Sequence, residues 1–278
     1  MKWNNFIRRE RTTDRRRVRA ILLAGLAAAL LGGCSGMTGV MDSQPEIRDD
    51  PAAAAEALSV IATLQQANSA LKTFKGVGRL TVRQEGKVQV DERMAWVGAP
   101  PLKLSVVLFA ASFPALRMAG DGEWLYYQDG QEPGAPVKRM RASDPDFKRI
   151  LSIPIQASDI IALMCGRMPL KEHSRATIQP LASGKGYVLL LMDGRSVRQK
   201  IFFDETKSET RQTEVYDSWG KLVFQANFIE MQVVSGYRVP SRLVVSRGKD
   251  ATVQVVVEKY WADVPVTPEM FVLAAPPG

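Results

Sequence analysis

The chain has 278 residues but only one histidine and two cysteines. These scarcities exclude several chemistries. A lone His173 with no cysteine pair cannot supply the donor set of an ordinary metal site. In Lys171-Glu-His-Ser174 it reads as a solvated loop residue. Cys165, in Ala162-Leu-Met-Cys-Gly166, reads as a small buried apolar residue. Ser35 and Ser218 lie in no nucleophile motif. Gly184-Lys185-Gly186 lacks the glycine spacing and following helix of a phosphate loop, so it reads as a hairpin turn. Asp121, Asp129, Asp144 and Asp146 fall at turn positions, where an aspartate bonds its own backbone. Their spacing lacks the closing Glu of a calcium loop. No catalytic residue, metal or cofactor is expected, and the protein is expected not to be an enzyme. There is also no apolar run of the roughly 20 residues that a membrane-spanning helix needs.

What the chain does have is an ordered N-terminus. Arg15, Arg16, Arg17 and Arg19 precede the 12-residue apolar run Ala20–Leu31, and Gly32-Gly33-Cys34 follows it. Basic, apolar, then small is the order of a bacterial export signal. The glycine pair lets the backbone enter a protease, and the Cys34 thiol can take a diacylglycerol. Leu31-Gly-Gly-Cys34 resembles the lipobox of bacterial lipoproteins. That resemblance implies a signal peptide over residues 1–33, cleavage before Cys34 and acylation there. An uncleaved transmembrane anchor is the alternative, but the run is short for about 30 Å of hydrocarbon. The next residue is Ser35 rather than Asp. Under the sorting rule of enterobacteria-like lipoproteins, this implies the outer membrane, with the chain facing the periplasm. Residues 1–33 hold eight Lys/Arg and two Asp/Glu, so the remainder keeps only about +2 of the whole chain's +8. The basic balance is therefore a targeting signal, and no nucleic-acid partner is expected.

Residues 34–50 are aperiodic and read as a lipidated flexible tether. Asp50-Pro51 then opens a helix, with Asp as cap and Pro at the first turn. Val60, Leu64, Ala67, Leu71 and Phe74 recur at helical spacing, which predicts a helix over 52–74 stopped by Gly76. From Gly76 the period becomes two. Strands are predicted at Arg79–Arg83, Lys87–Asp91, Leu102–Leu108, Leu116–Ala119, Glu123–Gln128, Gly186–Met192, Arg198–Asp204, Thr210–Asp217, Lys221–Met231, Arg242–Arg247 and Thr252–Tyr260. Helix-like segments at Pro145–Leu151 and Ala157–Met164 separate the two groups. So many hairpin-linked strands make an antiparallel sheet, and an open sheet of that size curls. Val106–Leu116 connects two strands yet is nearly all apolar, whereas connections are normally polar and at the surface. It is either a tucked-in corner or a short helix capping the core, or an exposed tip that touches lipid or an acyl chain.

A wider pattern joins these pieces. Phe74-Lys-Gly-Val-Gly-Arg-Leu-Thr-Val82 follows the first helix. Trp96 and Pro100-Pro-Leu-Lys-Leu104 come next, then Gly120-Asp-Gly-Glu-Trp-Leu-Tyr-Tyr127. Leu163-Met-Cys-Gly-Arg-Met-Pro169, Tyr237-Arg-Val-Pro-Ser-Arg-Leu-Val-Val245 and Pro268-Glu-Met-Phe-Val-Leu273 complete it. Over roughly residues 55–275 this resembles the LolA/LolB-like lipoprotein-localisation superfamily, in an outer-membrane lipoprotein branch. The resemblance implies an α+β fold: a strongly curved, unclosed antiparallel half-barrel of about ten to eleven strands over residues 51–278. Helices would plug its concave side, whose apolar interior accepts acyl chains. Leu104, Val106, Leu116, Met118, Leu222, Phe224 and Phe228 are expected to line that cavity. In the family's membrane-anchored receptor a loop with an exposed leucine helps insertion. Its position matches Leu108, Phe109 and Phe113, which are expected at the rim near the cavity mouth. A soluble carrier would hold its lid shut with an arginine, and no arginine of this sequence is assigned to that task. The implied function is to bind an acyl chain or lipidated protein and deliver it into the outer membrane, receiving it from a periplasmic carrier. The alternative is a non-catalytic scaffold lipoprotein of an envelope assembly machine.

Overall fold

The computed structural model describes residues 50–132 and 134–273. The expected signal segment, Cys34 and the expected tether up to residue 49 lie outside them. Thirteen strands form one antiparallel sheet in the order β6-β5-β4-β3-β2-β1-β13-β12-β11-β10-β9-β8-β7. The chain therefore starts mid-sheet. The strands β1 (Phe74–Gln84), β2 (Lys87–Ala99), β3 (Lys103–Ala110), β4 (Phe113–Gly120), β5 (Trp124–Asp129) and β6 (Lys138–Arg141) walk outward to one edge. A crossover carries α2 (Lys148–Leu151) and α3 (Ala157–Met164) to the other edge. The strands β7 (Arg175–Pro180), β8 (Tyr187–Asp193), β9 (Ser196–Phe203), β10 (Thr210–Tyr216), β11 (Leu222–Val234), β12 (Tyr237–Arg247) and β13 (Ala251–Ala262) then return to pair with β1. The α+β, unclosed antiparallel architecture is the one expected. The strand count exceeds the expected ten to eleven because β6, Lys-Arg-Met-Arg, has no apolar alternation and β7 shows only Ala176 and Ile178 between polar residues, a signal too short to mark a strand.

The first helix, α1, spans Pro51–Gln66 and is shorter than its apolar period suggests. Its start is as read: the Ala52 N–H donates to Asp50 Oδ1 at 2.9 Å. Its end is not. Asn68 turns to φ +51, and its amide reaches across to donate to the carbonyls of Cys165 (2.8 Å) and Arg238 (2.7 Å). Leu71 and Phe74 continue the spacing but not the helix; Phe74 is the first residue of β1. Within α1, Ala57, Ile61 and Leu64 face inward, whereas Val60 is only half-buried.

The glycines in Lys75-Gly-Val-Gly78 follow from close packing. A Cβ on Gly76 would stand 2.3 Å from the Trp96 ring, and one on Gly78 would stand 2.2 Å from the Val256 carbonyl oxygen. The β1–β13 register also slips between Val77 and Gly78. Trp96 and β13 thus press onto bare backbone, which only glycine permits.

Two clusters cover the concave face. In the larger, Phe147, Ile153, Ile155, Ile161 and Leu163 of the crossover pack on Leu80, Met94, Leu104, Phe224, Leu243 and Val253 of the sheet. In the smaller, the inward stripe of α1 packs on Met168, Ile178, Leu189, Leu191, Ile201 and Phe203. Half-buried Phe228 touches both.

Candidate functional site

Openings remain beside these clusters. One, about 20 Å³, lies beside Leu104, Val106 and Met118 under the crossover. Another, about 190 Å³, is a groove between α1 and the sheet. Its apolar lining is Val60, Leu64, Met168, Phe203, Phe228 and Met231, and its polar rim is Asn68, Lys207, Ser208, Glu209 and Arg238. The groove is smaller than the roughly 300–1,000 Å³ of typical small-molecule pockets, so it has room for part of one acyl chain.

The rim is built from carboxylate-held turns and ion pairs. The β9–β10 turn closes on Asp204. Its carboxylate accepts from the Thr206 hydroxyl at 2.6 Å and from the Glu209 N–H at 2.9 Å. Led by the Thr206 hydroxyl, these bonds hold the Asp204 carboxyl down to about 2. Lys207 pairs with Glu56 of α1, and its ammonium lies 3.9 Å from the Tyr187 ring centre. Arg238 donates to Glu209 at 2.7 Å.

The sequence-predicted residues fall in several places. Leu104, Val106, Leu116, Met118, Phe224 and Phe228 all join or pack on the concave clusters. They do not share one opening. Phe224 is 1% exposed in the filled core, Leu104, Val106 and Met118 edge the small opening, and Phe228 alone reaches the groove. Leu222 is not with them. The β10–β11 register slips so that Leu222 pairs with Tyr216 while Phe224 pairs with Val215, and Val223 packs against the core instead. Such a bulge reverses the alternation that placed Leu222 inside.

The apolar connection is neither corner nor helix. It is the β3–β4 hairpin, turned at Ala111 and Ser112, both with positive φ. Leu108, expected at the tip, is 5% exposed and pairs with Met94 and Leu116 inside the core. Phe109 is half-buried opposite Arg93, on the other face. Phe113 stands out at the tip, 76% exposed. This tip is at the opposite end of the strands from the groove's 204–209 turn, not beside the mouth.

Other site residues left no signal in the sequence. Arg167 donates to the carbonyl of Asn68 (2.6 and 3.1 Å) and to that of Leu71 (2.6 Å), fastening the end of α1 to the end of α3. Its acceptors are backbone oxygens, which no sequence pattern displays. Buried Asp159 of α3 accepts two bonds from Lys171 at 2.7 Å. Buried Gln199 donates to the Pro169 carbonyl at 2.7 Å and to the Thr213 hydroxyl at 2.9 Å. Together they seat the segment after α3 on β9 and β10. Cys165 is enclosed, and burial pushes its thiol up to about 12, so little reactive thiolate forms. His173 Nδ1 lies 2.9 Å from the Lys171 carbonyl. Among the described residues there is no cluster of His, Cys, Asp or Glu fit for a metal, and no helix long and apolar enough to cross a membrane.

No protein-family model matches the sequence, and no curated protein matches it. Solved structures do match in fold. A DUF1329 family protein from Desulfovibrio piger superposes with a TM-score of 0.52 at 12% identity, covering 79% of this chain and 97% of that one. An outer membrane lipoprotein-sorting protein domain from Vibrio parahaemolyticus gives 0.52 at 9% identity, covering 78% and 97%. A LolA superfamily protein from Nitrosomonas europaea gives 0.50 at 12% identity, again covering 78% and 97%. With its mid-sheet start, its helical crossover and these superpositions over nearly the whole of each neighbour, the chain has the LolA/LolB-like fold.

Proposed function

We propose that this protein is a non-catalytic, lipid-anchored protein of the outer membrane. It binds an acyl chain, free or on a lipidated protein, and helps place it in the bilayer. The observation that carries this reading is the groove under α1: an apolar floor with Phe228 and Met231, and a charged rim. An amphiphile fits that division, with its chain against the floor and its polar end at the rim. Burying each methylene contributes about 0.8 kcal/mol, so even a partly enclosed chain is held without a cofactor. The groove holds a whole chain only if α1 shifts outward. The sorting-domain and LolA-superfamily neighbours lend this role support by fold alone.

The test is lipid occupancy. The protein purified from membranes should release acyl-containing lipid on organic extraction. Phe228→Asp should remove most of it, because an unpaired carboxylate on the groove floor is costly to desolvate. Its melting temperature should fall far less than for a fully buried position. The scaffold reading is favoured by one observation, the close packing of the crossover on the sheet, where the opening beside Leu104, Val106 and Met118 is only about 20 Å³. It takes over if wild type carries no lipid.

The hairpin tip supplies the second test. Phe113→Ser should leave stability within about 0.5 kcal/mol, as for other exposed sites, which is a melting shift of roughly 2 °C or less. Transfer of bound cargo into liposomes should slow about tenfold, since one aromatic in the interface is worth roughly 1.5–3 kcal/mol. A large melting shift for Phe113→Ser would remove the insertion role. The double variant Phe109→Ser, Phe113→Ser should lose more stability, because Phe109 is half-buried.

A further inference from the structure

We propose that Trp219 is a second bilayer contact, so that the domain stands on the membrane on two aromatic turns, Phe113 and Trp219, with the groove mouth held at the far end. Trp219 is 91% exposed, the most exposed large apolar side chain among the described residues. Its turn is fixed. Asp217 Oδ1 accepts from the backbone N–H of Trp219 and of Lys221, both at 2.9 Å. The Asp217 N–H donates to the Lys221 carbonyl at 3.0 Å, and Gly220 takes φ +75. A rigid turn therefore presents an indole to solvent, where it packs on nothing in the fold.

The antiparallel order decides which way it points. The β3–β4 turn of Phe113 and the β10–β11 turn of Trp219 lie at one end of the sheet. The β9–β10 turn of the groove rim lies at the other. Four strands, β2, β1, β13 and β12, stand between the two hairpins, so the aromatic turns are six strand spacings apart, at most about 29 Å along the sheet. No small ligand spans that distance, but a flat apolar phase touches both points. The neighbouring turns mix Lys87, Lys221 and Lys249 with Glu85, Asp217 and Asp250, so charge does not favour a strongly acidic or basic partner. Indole prefers the bilayer interface, where its ring is buried and its N–H stays wet. The proposal rests on the lipid-anchor reading. Residues 35–49 reach about 50 Å at most, which keeps the domain within touching distance of the surface.

The experiment uses the full protein purified from membranes and reconstituted in phosphatidylethanolamine/phosphatidylglycerol vesicles containing lipid brominated near the headgroup. The difference between wild type and Trp219→Tyr isolates Trp219 emission. That emission should be blue-shifted, quenched by brominated lipid and shielded from acrylamide. Trp219→Ser should melt as wild type does, yet partition to vesicles about tenfold or more weakly when the anchor is removed by proteolysis. Emission that stays water-like and open to acrylamide overturns the proposal. So does shielding that arises only after a periplasmic extract is added, which marks a protein-docking site. Lipid extraction from the same samples reads the groove separately, so an empty groove and a solvent-facing Trp219 are distinct failures.

Discussion

Phe224→Asp is expected to abolish folding rather than lipid uptake. From the sequence, Phe224 belongs to an open cavity wall, where a charge would only repel an acyl chain. In the structure the ring is enclosed among the central strands and the crossover segment. Removing such a ring costs about 3–5 kcal/mol through lost burial and the cavity left behind, and a carboxylate with no partner adds its own desolvation cost. The sum is comparable to the whole stability of many domains, about 5–15 kcal/mol. Circular dichroism should show a chain without a cooperative melt, and expression should fall. A well-folded Phe224→Asp protein that has merely lost its lipid would mean that the concave face opens in solution and that the filled core is one of two states.

The second large effect concerns the anchor. Cys34→Ser should remove the protein from the outer membrane altogether, because a serine hydroxyl cannot replace the thiol that accepts the diacylglycerol. Membrane fractionation should find it soluble in the periplasm or held unprocessed with residues 1–33 attached. Mass measurement of the wild-type N-terminus should find acylated Cys34. Several acyl chains give effectively permanent attachment, whereas one gives only marginal binding. Wild type that is uncleaved, or free of acyl groups, would remove the lipoprotein reading. Trp219 would then have to face something other than a bilayer held within reach.

The sequence displayed the architecture where burial was one-sided and periodic. The alternation in β1–β5 and β8–β13, the Asp50-Pro51 cap and the whole of α3 were visible because each pattern matches one face of one element. It hid what depends on another part of the chain. Leu71 and Phe74 extend the helical spacing, but Asn68 ends α1 by bonding to carbonyls 97 and 170 residues away. Leu222 obeys the alternation until a bulge opposite Tyr216 turns it out. The strand β6, Lys-Arg-Met-Arg, is exposed at every position, so no apolar period marks it. The apolar run 106–116 looked anomalous only while it was read as a loop. As a hairpin with Leu108 inside and Phe113 outside, it follows the ordinary rule. The candidate site was half legible: the sequence showed which side chains face inward, but not which of them the crossover would bury.

The pairing of β1 with β13 has a consequence for how the protein is made. An exported chain emerges N-terminus first, so β1 through β6 can zip up as local hairpins early. The partner of β1 on its other side is Ala251–Ala262, which arrives about 180 residues later. Until then the middle of the finished sheet is an open edge, with unpaired backbone and Phe74 uncovered, a state prone to association with other chains. This is also the strand pairing of greatest sequence separation among the described strands, so its closure should be slow compared with the hairpins. A nascent chain of this protein therefore passes its most vulnerable interval with its centre unfinished. Losing only the last strand would leave two meanders with no strand pairing between them.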